Sequence, residues 1–123
     1  MVADFEGPIE ATSIESDFTP RAVRSVAGVE LDGESVLYNE DLETVHVLNA
    51  SGTVVWNMLD GSRSVAAIAD ELSAVFSVDR PTMLQDVLTI VRKLGEQGLL
   101  DEVSADLELI ATLRLQVAPE ASE

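Results

Sequence analysis

The chain has 123 residues, 46% of them hydrophobic, and sets 23 acidic side chains against seven basic ones for a net charge of −16. That is one domain's worth of sequence with enough apolar content for a core, and its field repels phosphate backbones and anionic lipid. With no cysteine and one histidine, disulfides, thiol catalysis, cysteine-ligated metals and multi-histidine relays are excluded. No apolar run approaches the ~20 residues of a membrane span, and the acidic N-terminus lacks a signal peptide's basic start. The expectation is a soluble, cytoplasmic protein.

Residues 1–22 read as a flexible acidic arm. Asp4, Glu6, Glu10, Glu15 and Asp17 precede any base, and Pro8 and Pro20 interrupt the apolar period. The domain is expected over residues 23–102. Val26–Leu31 alternates imperfectly and runs into the tight-turn signal Asp32-Gly33-Glu34. Ser35–Tyr38 follows, then the turn-like cluster Asn39-Glu40-Asp41, then Thr44–Leu48, which is rich in β-branched residues. Short polar connections between these runs predict an antiparallel meander.

From Asn49 the apolar period changes from two to near 3.6. Asn49 caps a helix whose inward face is Gly52, Val55, Trp56 and Leu59, stopped by Asp60-Gly61. Ser64 caps a second, with the stripe Val65, Ile68, Ala69, Leu72 and Phe76. Asp79-Arg80-Pro81 opens a third, with Leu84, Val87, Leu88, Val91 and Leu94 as its buried stripe and Gly95 and Gly98 as its end. Leu99 and Leu100 pack back as a short extended closure. The predicted fold class is α+β and winged-helix-like, a three-stranded antiparallel β meander followed by three α-helices.

Residues 103–123 form a C-terminal extension, an amphipathic segment followed by a disordered Pro-Glu-Ala-Ser-Glu tail. In Leu107–Val117 every odd position is apolar, a strand period. Leu109, Ile110, Leu113 and Val117 also make a helical stripe behind a capping Ser104, and both readings stay open. Either way its apolar face needs cover, and the expectation is that it docks on the domain's open sheet edge, in its own chain or a partner's.

Nothing along the chain reads as catalytic machinery. His46 lies in a short strand with no Ser or Cys motif around it and is expected to be a half-exposed residue in a cross-strand contact. The pairs Glu40-Asp41, Asp70-Glu71 and Asp101-Glu102 read as solvated surface, and Trp56 and Phe76 as core. No GxGxxG, P-loop, HExxH or EF-hand loop occurs. The expectation is a protein that is not an enzyme, with no cofactor and no metal site.

One ordered set is specific. His46-Val47-Leu48-Asn49 is followed by Trp56, Asp60-Gly61-Ser62-Arg63-Ser64-Val65, Ile68-Ala69 and Leu72, then Asp86-Val87-Leu88, Leu94 and Gly98-Leu99-Leu100. Over Val26 to Asp101 this resembles the PqqD-like family, the stand-alone recognition elements for ribosomally made, modified peptides. In that family "LN", "DG" with Ser/Thr-Val, and "GLL" recur in this order. The resemblance implies that the third strand accepts the leader of a precursor peptide as a fourth strand, with leader side chains entering a cleft beside the third helix. It further implies a modifying enzyme as partner, often a radical-SAM maturase.

Carried onto this chain, the receiving edge is Thr44, Val45, His46, Val47 and Leu48, which includes no Pro or Lys to blunt it. Met83, Val87, Ile90 and Lys93 form a stripe turned partly away from the core. Arg92 and Lys93 would meet a leader carboxylate, although bases near a helix C-terminus have their own reason to be there. Members dedicated to pyrroloquinoline quinone assembly carry a Pro-Glu-Gly element and a Cys. Here Asn39-Glu40-Asp41 and Leu59 stand in those places, which points to another precursor peptide. Two further readings are a winged-helix DNA-binding regulator, for which the third helix offers only Arg92 and Lys93, and an interaction domain that uses the same edge for another protein or as a homodimer.

Overall fold

A computed structural model describes residues 8–117. In chain order it contains β1 (Ile9–Glu10), a 3-10 turn (Ala11–Ser13), β2 (Val26–Leu31), β3 (Glu34–Asn39) and β4 (Thr44–Leu48). There follow α1 (Ala50–Trp56), α2 (Val65–Phe76), α3 (Arg80–Glu96), β5 (Val103–Ser104) and α4 (Leu107–Val117). None of the described helices is long and apolar enough to cross a membrane.

The sheet is antiparallel in the order β2-β3-β4, with Val29, Val36 and Val47 in one cross-strand row and Gly28, Leu37 and His46 in the next. Asp32 and Gly33 both take positive φ, the conformation a two-residue hairpin needs to match strand twist. Because side chains alternate, Ser35, Leu37, Asn39, Thr44, His46 and Leu48 all face inward and are buried. Val29, Val36, Tyr38, Val45 and Val47 face outward and are exposed, so the outer face of the sheet is apolar and open.

The caps expected at Asn49 and Ser64 form, and Asp79 caps the third helix. The side chains of Asn49, Ser64 and Asp79 accept from the backbone N–H groups of Gly52, Ala67 and Thr82, each cap contributing ~1 kcal/mol. The core gathers Val55 of α1, Ile68 and Leu72 of α2, and Val87, Val91 and Leu94 of α3. The helix α3 does not stop at Gly95 as expected. A Cβ there would lie 2.8 Å from Val103 Cγ1 and 3.2 Å from Ala11 Cβ, so this glycine lets two segments approach the helix. The left-handed turn comes at Gly98 (φ 79°).

Residues 8–22 are not a flexible arm. Ile14 is fully buried and Ala11 nearly so, and β1 pairs in parallel with β5. The segment also satisfies the donors that every helix start leaves open: Val65 N–H donates to Phe18 O at 2.8 Å and Ala66 N–H to Ser16 O at 2.9 Å. Ala22 and Val23 bond Leu59 and Leu99 in turn. The packed unit therefore begins well before residue 23. Residues 1–7 of the expected arm and the C-terminal Pro-Glu-Ala-Ser-Glu lie outside the described residues.

The two readings of the C-terminal segment resolve to a helix. Asp106, rather than Ser104, caps it by accepting from the N–H groups of Glu108 and Leu109, while Ser104 belongs to β5. Leucine and alanine favour the helix, and it buries Ile110.

Candidate functional site

The strand β4 ends the sheet, and no described strand pairs with its other long side. That side presents backbone donors and acceptors along Thr44–Leu48. Its side chains split between the two faces: Thr44, His46 and Leu48 inward, Val45 and Val47 outward, Val47 at 70% exposure.

His46 is not half-exposed as expected. It faces inward at 3% exposure and shares a 2.8 Å hydrogen bond between Nε2 and Thr44 Oγ1. Even strand positions point to the helices here, and that parity decides its fate. Burial lowers its pKa below the ordinary histidine value, which keeps the imidazole neutral at pH 7.

Where β4 ends, an apolar groove of about 330 Å³ opens between α1, α2 and α3. Met83, Val87 and Ile90 of α3 line it against Val54 of α1, with Ser51 and Asp86 as its polar members. Met83 was expected outside the buried face, yet it is buried and sits with Val87, with Ile90 half-buried above them. Phe76, a core residue by its helical spacing, is 54% exposed and lines the groove. The left-handed Ser77 ends α2 there (φ 57°). The signal that α2 stops at this point was the polar Ser77 following the last apolar residue.

The structure separates the two adjacent bases of α3. The Arg92 guanidinium donates twice to the Ile14 carbonyl, at 3.0 and 2.7 Å, and so is committed to the N-terminal segment. Lys93, one position and roughly 100° further round the helix, is exposed. Arg80 at the other end of α3 pairs with Asp70 at 2.6 Å. A helix whose arginines are engaged this way does not present the basic face that reads a DNA groove.

The helix α4 packs along β4. Arg114 reaches Glu43, the residue before the strand, with Nη2–Oε1 at 2.8 Å.

The PqqD family model, described as coenzyme PQQ synthesis protein D, matches residues 34–100, and the chain belongs to that family. Two proteins named PqqA binding protein, from Rhodopseudomonas palustris strains BisB5 and HaA2, are 35% and 38% identical to it over 48 residues. Those residues are 39% of this chain and 47% of each relative, so the chain spans about half the length of the curated relatives it matches. Among solved structures, TbiB1 in complex with the TbiA(beta) leader peptide is 31% identical and superposes with a TM-score of 0.60 over 66% of this chain and 94% of that one. The solution structure of the PqqD truncation of Methylobacterium extorquens PqqCD, a stand-alone recognition element, has a TM-score of 0.64 at 22% identity. It covers 76% of this chain and 99% of that one, and bears out the α+β recognition-element fold.

Proposed function

We propose that this chain binds the leader of a ribosomally made precursor peptide as a fourth strand on β4 and presents it to a peptide-modifying enzyme, taking no part in the chemistry. The observation that carries this reading is the edge of β4 that no described strand pairs, together with the apolar groove between α1, α2 and α3 that begins at Ala50 and Ser51, just past the strand's end. Main-chain hydrogen bonds along Thr44–Leu48 supply affinity for any extended peptide, and the groove supplies selection. Its volume accommodates a large apolar side chain from the leader where β4 gives way to α1. Family membership and the likeness to TbiB1, solved with a leader peptide, support the same reading. The engaged arginines of α3 and the charge of −16 weigh against the DNA-binding alternative.

The test is a fluorescence-anisotropy titration with the TbiA(beta) leader, PqqA and peptides translated from short reading frames flanking the gene, beside a labelled DNA duplex. The expected result is one peptide bound at about micromolar Kd or tighter and no duplex binding at physiological salt. Tight duplex binding, or failure of every peptide, overturns the reading.

A further inference from the structure

The C-terminal helix packs along β4, the strand proposed to receive the leader. At its start, Asp106 N–H donates to the carbonyl of Glu96 at the end of α3, at 2.8 Å. Ile110 is 5% exposed and approaches Gly98, against which Leu42 of the β3–β4 turn also packs. Further along, Arg114 pairs with Glu43. The helix thus runs from the end of α3 to the entrance of β4 and packs along the strand whose second edge no described strand pairs.

Resting on the leader-binding reading, we propose that α4 is an intramolecular occupant of the β4 edge that an incoming leader must displace. Among its described side chains the helix fully buries one, Ile110, which lies outside the contiguous core, with Leu109 and Leu113 half-buried, and its ion pair is exposed and contributes little. Its 11 residues are too few to stay helical in water once released, so displacement melts it rather than parking it elsewhere. The apparent leader affinity is then the intrinsic affinity reduced by the fraction of molecules with α4 released. A leader that makes only backbone bonds is disfavoured, whereas one that also fills the groove is accepted, and the helix thereby sharpens selection.

The experiment compares the full-length wild type, the double variant Ile110→Asp/Arg114→Glu and the control Leu107→Glu, whose side chain is 76% exposed. Amide hydrogen exchange across Thr44–Leu48 reports whether α4 covers the edge, and anisotropy with the leader that binds the wild type best reports competition. With α4 seated in about nine molecules of ten, the double variant is expected to show faster edge exchange and roughly tenfold tighter leader binding, with the control unchanged. Unchanged exchange in the double variant overturns the seating. Faster exchange with equal or weaker leader binding overturns the competition and makes α4 a wall of the site. If exchange quickens but none of the three proteins binds any leader, the leader reading itself fails, a result distinct from the other two.

Discussion

The side-chain amide of Asn39, at the end of β3, donates to the carbonyl of Gly98 beyond the end of α3, at 3.1 Å across 59 positions of sequence. The same side chain accepts from Ser25 Oγ and from the N–H groups of Asp41 and Leu42. One buried residue therefore shapes the turn that feeds β4 and fixes that turn to α3.

Replacing Asn39 with Ala leaves several of these groups without partners in a buried place. Unfolding in urea is expected to show a loss of about 2–4 kcal/mol. A loss below about 1 kcal/mol would mean that water takes over these bonds and that the tie is incidental.

Phe76 and Val47 are exposed apolar residues for which the account requires function rather than stability. Phe76→Ser is expected to change stability by less than about 1 kcal/mol while weakening a leader that carries an apolar anchor. Val47→Pro removes a backbone donor and fixes φ on the receiving strand. It is expected to reduce leader affinity at least tenfold (~1.4 kcal/mol) with the helices intact by far-UV circular dichroism. Undiminished affinity in a folded Val47→Pro variant would move the site off β4.

Arg92 and Lys93 are separated by a different experiment. Arg92→Ala removes both donors to the Ile14 carbonyl, and a loss of about 1–3 kcal/mol in stability is expected with leader affinity within twofold of wild type. Lys93→Ala is expected to leave stability unchanged and to weaken leaders that carry an acidic residue. The opposite pattern would return Arg92 to the peptide site.

The buried His46 makes stability depend on pH. Its folded pKa lies below the unfolded value near 6.5, so the unfolded chain binds the proton first. Stability is then full above about pH 6.5 and falls as the pH drops towards the folded pKa. Urea melts between pH 8 and 5 are expected to show this decline in the wild type and to lose it in His46→Gln. An identical decline in both would assign it to the carboxylates.

The sheet and the first three helices were legible because each depends on local signals: turn residues with positive φ, three caps, and periods of 2 and 3.6 that change at Asn49. Residues 8–22 were misread because their role is non-local. Ile14 is a single buried side chain, and Ser16 and Phe18 matter through carbonyls that meet the start of α2, which no periodicity displays. The same holds for Gly95, which lies inside α3 rather than ending it because its role is set by Val103 and Ala11. At the candidate site, the family resemblance located the edge strand and the stripe Met83, Val87 and Ile90. The pattern could not separate Arg92 from Lys93, whose difference is one of partner, nor turn Phe76 outward.

The most direct test of strand addition is isotope-edited NMR of labelled protein with unlabelled leader. The account predicts intermolecular backbone contacts between the leader and Thr44–Leu48, with leader side-chain contacts to Met83 and Ile90. Backbone contacts to β2, the sheet's other edge, or a bound leader with no contact to either strand, would contradict it.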